Sequence, residues 1–66
     1  MQIIVNGQPR TATDGITVAG LLDELNLTAK PVAVEVNLEL VPRQQHAQHV
    51  LHDGDRLEIV TLVGGG

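Results

Sequence analysis

Residues 17–36 read TVAGLLDELNLTAKPVAVEV, and the hydrophobic period changes once within them. Val18, Leu21, Leu22 and Leu25 fall at i, i+3, i+4 and i+7, one apolar stripe on a helix. Asp23 and Glu24 point away from that stripe. Thr17 precedes it as an N-cap, because a threonine hydroxyl accepts from an otherwise unpaired N–H of the first turn. Gly20 weakens the helix by about 1 kcal/mol relative to alanine. Asn26 and then Pro31 mark the end. From Pro31 onward the period is two. Val32, Val34 and Val36 alternate with Ala33 and Glu35, a strand with one strongly apolar face. A short amphipathic helix feeding a one-faced strand predicts a helix laid on a sheet.

The flanking sequence supplies the rest of that sheet. QIIVNGQPRTA, residues 2–12, reads as strand, turn, strand. Met1, Ile3 and Val5 share one parity. Asn6-Gly7 suits a type I′ turn, which needs positive φ at both central residues. Pro9 places the second strand at an edge, since it donates no ladder hydrogen bond. Asp14-Gly15 is a further turn. LELVPR, residues 38–43, holds a short strand stopped by Pro42. QQHAQHVL, residues 44–51, reads as a polar connection with one helical turn. Asp53-Gly54-Asp55 turns into the closing strand, RLEIVTLV, residues 56–63.

The predicted order is β-β-α-β-β-β, an α+β roll with a mixed sheet. One helix covers one sheet face, with Ile3, Val5, Leu21, Leu25, Val34, Val36, Leu57 and Ile59 as the core. Order and length are similar to those of a ubiquitin-like β-grasp, in which the first and last strands lie side by side at the centre. The expected organisation is one domain over residues 1–63 and a flexible glycine tail over 64–66.

Composition narrows the function. The chain has 66 residues, no cysteine, no aromatic residue and a net charge of -4. The core is therefore aliphatic, without a disulfide or a thiolate metal site. An acidic chain lacking aromatic platforms argues against nucleic-acid binding. It suits a basic protein partner instead. No apolar run reaches the roughly 20 residues of a membrane span. The first residues carry no basic segment ahead of their apolar run, so they do not read as a signal peptide, and a cytoplasmic location is expected.

Candidate ligands are few. His46, His49 and His52 are spaced by three, which brings imidazoles together only on a helix. The surrounding glutamines give the stretch the character of a solvated loop. Asp53 and Asp55 flank a turn too short to supply the six to eight oxygens of a Ca²⁺ site. Glu35 and Glu39 read as solvated face residues. There is no nucleophile–base pair, P-loop or dinucleotide fingerprint, so no catalytic residue and no metal ligand is assigned.

The end of the chain carries the chemistry. Gly64-Gly65-Gly66 follow the last strand without a spacer. A tail without side chains enters a narrow channel fully extended and leaves its N–H and C=O groups free for a partner site. It offers one accessible α-carboxylate, on Gly66. Attack of that carboxylate on the α-phosphate of ATP gives an acyl adenylate, from which a sulfur nucleophile displaces AMP.

MQIIVNG, TVAGLLDEL, VAVEVN with VPR, and DGDRLEIVTLVGGG occur in the order and spacing of the ThiS family, the sulfur carriers of thiamine biosynthesis, and the chain resembles that family along its length. The resemblance implies that Gly65-Gly66 is the family's terminal di-glycine. It implies that a ThiF-type adenylyltransferase, using Mg-ATP, adenylylates Gly66. A cysteine-desulfurase relay then supplies sulfur for a Gly66 thiocarboxylate, and thiazole synthase, ThiG, accepts that sulfur. By this reading the chain is a protein co-substrate and binds no cofactor itself. The alternatives are a carrier of the kind that serves as the molybdopterin-synthase small subunit, typically longer and with a different middle, and a β-grasp interaction module with an inert tail.

The closing strand also predicts a docking face. Leu57, Ile59 and Val63 share one parity, Val60 and Leu62 the other. With the helix on one face only, Val60 and Leu62 are expected to stand partly exposed beside the tail, unless residues 43–52 fold over them.

Overall fold

The computed structural model describes residues 1–62. The assignments of Val63 to the domain and of residues 64–66 to a flexible tail lie outside the described residues.

The strands are β1 (Gln2–Val5), β2 (Gln8–Thr11), β3 (Val32–Val36), β4 (Glu39–Val41) and β5 (Arg56–Thr61), with one helix, α1 (Val18–Glu24), and a 3₁₀ turn at Arg43–Gln45. They form one mixed sheet in the order β2-β1-β5-β3-β4. β1 and β5 run parallel, and the neighbouring pairs are antiparallel. This is the ubiquitin-like β-grasp arrangement, with first and last strands adjacent. The strand holding Pro9 is an edge strand, as its missing N–H requires.

α1 packs on one face of the sheet. Ile3, Val18, Leu21, Leu22, Val34, Val36, Leu57 and Ile59 are buried together with Ala12, Val41 and Leu51. Val5 and Leu25, expected in the core, are only half-buried and pack at its margin. Val5 ends β1 at the hairpin, and Leu25 is the C-cap of a helix only seven residues long. Thr17 caps the helix as expected, its hydroxyl accepting from Gly20 N at 3.1 Å.

Two hairpin asparagines take on a second task. Asn6 and Gly7 have φ of 50° and 81°, as a type I′ turn requires. The Asn6 side chain also reaches β5, where Nδ2 donates to Ile59 O at 3.1 Å and Oδ1 accepts from Ile59 N at 2.7 Å. The amide thus continues the β1–β5 ladder beyond the last β1 residue. Asn37 repeats the device from the other side, its Oδ1 accepting from Arg56 N at 3.1 Å. Asn6→Gly keeps the turn but leaves both Ile59 groups without that partner. An expected loss of about 1–3 kcal/mol is measurable by urea unfolding followed by far-UV circular dichroism.

Leu38 is the anomaly of the fold. It occupies the second position of the β3–β4 hairpin with φ of 70° and 89% of its surface exposed. A branched side chain in the left-handed region costs about 1–2 kcal/mol, partly offset on replacement by the chain entropy of glycine. Leu38→Gly is therefore expected to raise the melting temperature by about 2–8 °C. A thermal melt checks it.

Candidate functional site

The site is built around the end of β5. Val32 lies opposite Thr61 and Ala33 opposite Val60. Leu62 is beyond the strand proper, yet its N–H donates to Pro31 O at 2.8 Å. The sheet therefore guides the chain as far as Leu62, and the Gly64–Gly66 stretch assigned to the reaction lies just outside the described residues.

Strand alternation sorts β5 into two faces. Leu57 and Ile59 are buried under α1, whereas Val60 and Leu62 are 56% and 50% exposed. The expected partial exposure is observed, because residues 43–52 pack elsewhere. Val18 N donates to His49 O, Ala19 N to His46 O, and Leu51 N to Ile16 O. The His49 and His46 carbonyls satisfy N–H groups that the start of any helix leaves unpaired. The loop is thus committed to the helix side, and the opposite sheet face stays open.

On that open face Ala33, Leu40 and Val60 are interleaved with charge. Glu35 and Glu58 stand directly opposite each other across β3 and β5. Like charges in register oppose pairing of the strands. Both side chains are exposed. Glu39, which the sequence sets four residues from Glu35, pairs instead with Val36 and so faces the other side of the sheet. The two do not form a carboxylate pair.

Contrary to expectation, the three histidines are not all solvated. His46 is not in a solvated loop: it is 7% exposed, with Nε2 3.0 Å from Val41 O. Its burial follows from the same loop carbonyls that cap α1, which hold the backbone of His46 and His49 against the helix. His49 is half-buried and His52 exposed. Among the described residues no three His, Asp or Glu side chains converge to hold a metal ion. Asp53 and Asp55 serve the turn. Asp53 Oδ1 accepts from Gln2 N at 2.7 Å, and Asp55 Oδ2 accepts from His52 N at 2.8 Å. Among the described residues no helix is long and apolar enough to cross a membrane.

A β-grasp domain whose last strand leads an open apolar face toward a glycine terminus is found in several kinds of protein, and comparison with known sequences decides among them. The ThiS family profile matches residues 3–66. The chain belongs to the ThiS family. The match includes the three glycines and so extends past the described structure. The sulfur carrier protein ThiS of Escherichia coli is 38% identical over 66 residues, and the alignment spans 100% of both chains. The crystal structure of the thiamine biosynthesis protein ThiS from Geobacter metallireducens superposes with a TM-score of 0.85 at 35% identity, again over 100% of both chains. A thiazole synthase from Paramagnetospirillum magneticum is 47% identical over 66 residues, but the chain spans only 20% of that longer protein. A segment like this family member is thus part of a thiazole synthase polypeptide in that organism.

Proposed function

We propose that this chain is a sulfur carrier for the thiazole moiety of thiamine, acting through a free α-carboxylate on Gly66. The observation that carries the reading is a likeness to a named sulfur carrier that runs the full length of both chains.

The chemistry follows from what a carboxylate lacks. It is anionic and has no leaving group, so no sulfur nucleophile adds to it directly. A ThiF-type partner holding Mg-ATP would let a Gly66 oxygen attack the α-phosphorus, with pyrophosphate leaving. The resulting acyl adenylate has a good leaving group. The terminal sulfur of a persulfide on a cysteine-desulfurase relay then displaces AMP to give an acyl disulfide. A thiol of the relay or partner cleaves its S–S bond, leaving a thiocarboxylate on Gly66 and a disulfide on the thiol side. Thiazole synthase takes the sulfur, a partnership supported by the longer relative in which the two occur on one chain. The carrier contributes no acid, base or cofactor; ATP and Mg belong to the partner. It acts as a co-substrate, in the cytoplasm where ATP is available.

What the domain contributes is presentation. Val60 and Leu62 form an apolar docking patch beside the tail, and exposed aliphatics clustered in this way mark partner surfaces. Glu35 and Glu58 give that patch an acidic margin that steers toward a basic rim. Incubation with the cognate adenylyltransferase, ATP and a sulfur source tests the reading. Intact-mass analysis should find one carboxylate oxygen replaced by sulfur, and peptide mapping should place it on Gly66. Unmodified protein after a reaction that modifies a known carrier would overturn it.

A further inference from the structure

The chain has only four lysines and arginines against eight acidic residues. Arg10 is held by Glu24 at 3.3 Å. Arg56 lies on the open sheet face, on the strand that carries Glu58. The remaining two, Lys30 and Arg43, come together at one place, and among the described residues neither makes an ion pair.

That place is a shallow cleft of about 210 Å³ between α1 and the start of the 43–52 loop, lined by Ala19, Leu22, Thr28, Arg43, His46 and Ala47. It continues into a smaller recess that adds Lys30 and Val32. Val32 is the residue opposite Thr61, and Pro31, next to Lys30, accepts the hydrogen bond from Leu62. The cleft therefore opens beside the point where the chain leaves the sheet. It lies on the helix side, whereas the Glu35–Glu58 pair lies on the open face.

We infer that Lys30 and Arg43 form a docking cleft for carboxylate side chains of the partner that takes the tail. This rests on the reading of Gly66 as the reacting group. Residues 63–66 span at most about 14 Å when fully extended. For Gly66 to reach a buried reaction centre, the body of the carrier must sit at the mouth of the partner's channel, and the groups flanking the exit must meet its rim. The rim therefore faces the Lys30–Arg43 pair at the cleft on one flank and the Glu35–Glu58 pair on the other. An aspartate or glutamate on the first flank and a lysine or arginine on the second would be matched only when the carrier docks one way round. Charge complementarity of this kind acts mainly on encounter rate and on rejection of wrong orientations.

The test is a calorimetric titration of the cognate adenylyltransferase with the wild-type chain, with Lys30→Glu/Arg43→Glu and with Lys30→Gln/Arg43→Gln, at low and high salt. Both positions are exposed, so far-UV melts should match the wild type. If charge reversal prevents folding, the neutral pair carries the test. Reversal is expected to raise Kd about tenfold or more at low salt and to flatten the salt dependence, with the neutral pair in between. Wild-type affinity, or weaker binding with an unchanged salt dependence, would overturn the cleft. Amide shifts around Lys30 and Arg43 on adding inorganic phosphate to the free carrier would assign it to phosphate instead and overturn it equally. A wild-type chain that takes up sulfur normally beside a charge-reversed chain that binds normally would sink this inference alone. A wild-type chain that takes up no sulfur would sink the reading beneath it.

Discussion

A chain shortened by Gly66, or extended by one residue beyond it, is expected to take up no sulfur and to melt as the parent does. The two halves of the result have separate causes. Shortening moves the carboxylate back by one residue, about 3.5 Å. Attack geometry tolerates far less, since misplacement by about 1 Å costs on the order of a hundredfold. Extension converts the Gly66 carboxylate into an amide and puts the new one beyond the site. The domain is expected to be unaffected because, among the described residues, the last core position is Ile59 and the last backbone hydrogen bond is that of Leu62. Intact mass after the coupled reaction, alongside a thermal melt, reads both halves. Sulfur uptake by the shortened chain would place the reaction elsewhere.

The second large effect separates the two faces of β5. Ile59 is 7% exposed and lies opposite Val34, which is 0% exposed. Ile59→Asp puts a carboxylate among aliphatic side chains with no cation to meet it, at a cost of several kcal/mol. A domain of this size has a total stability of roughly 3–10 kcal/mol. The variant should therefore be largely unfolded at room temperature. Leu62→Asp should melt within a few degrees of the wild type, since half of that side chain is already in water. It should nevertheless weaken adenylyltransferase binding, by placing a charge in the apolar patch. Far-UV circular dichroism follows folding in a chain without aromatic residues. Equal unfolding by both substitutions, or normal binding by Leu62→Asp, would show that the docking face is wrongly assigned.

Much of the fold was legible because its signals are local. The Asn6-Gly7 turn, the Thr17 cap, the Val18–Leu25 stripe, the alternation from Val32 and the stop at Pro42 each act within a few residues, and each is where the spacing puts it. What escaped was set at long range. Leu51 stands in a polar stretch with no period, and its burial accompanies a hydrogen bond to Ile16, 35 residues away. Ala12 and Val41 are buried for similar reasons of position, as is His46. Asn6 reads as a turn residue, and nothing nearby in the sequence announces a partner at Ile59. Of the site, the exposure of Val60 and Leu62 could be read from strand alternation; the glycines proposed to react lie outside the described residues. The convergence of Lys30 and Arg43 could not be read, because twelve residues and one hairpin separate them.

The placement of β5 also has a mechanical consequence. It is gripped along both edges, by β1 on one side and β3 on the other, and the Asn6 amide adds two rungs at Ile59. Traction applied at its far end acts along the strand, across the direction of those bonds. They share the load as a shear joint does, whereas bonds pulled end-on part in succession like a zip. β2 has a single neighbour, and force directed across that edge would peel it in the easier way. Hauled by the terminus that the proposed reaction would draw in, the domain would resist as a unit; force directed across an edge strand would part the sheet rung by rung.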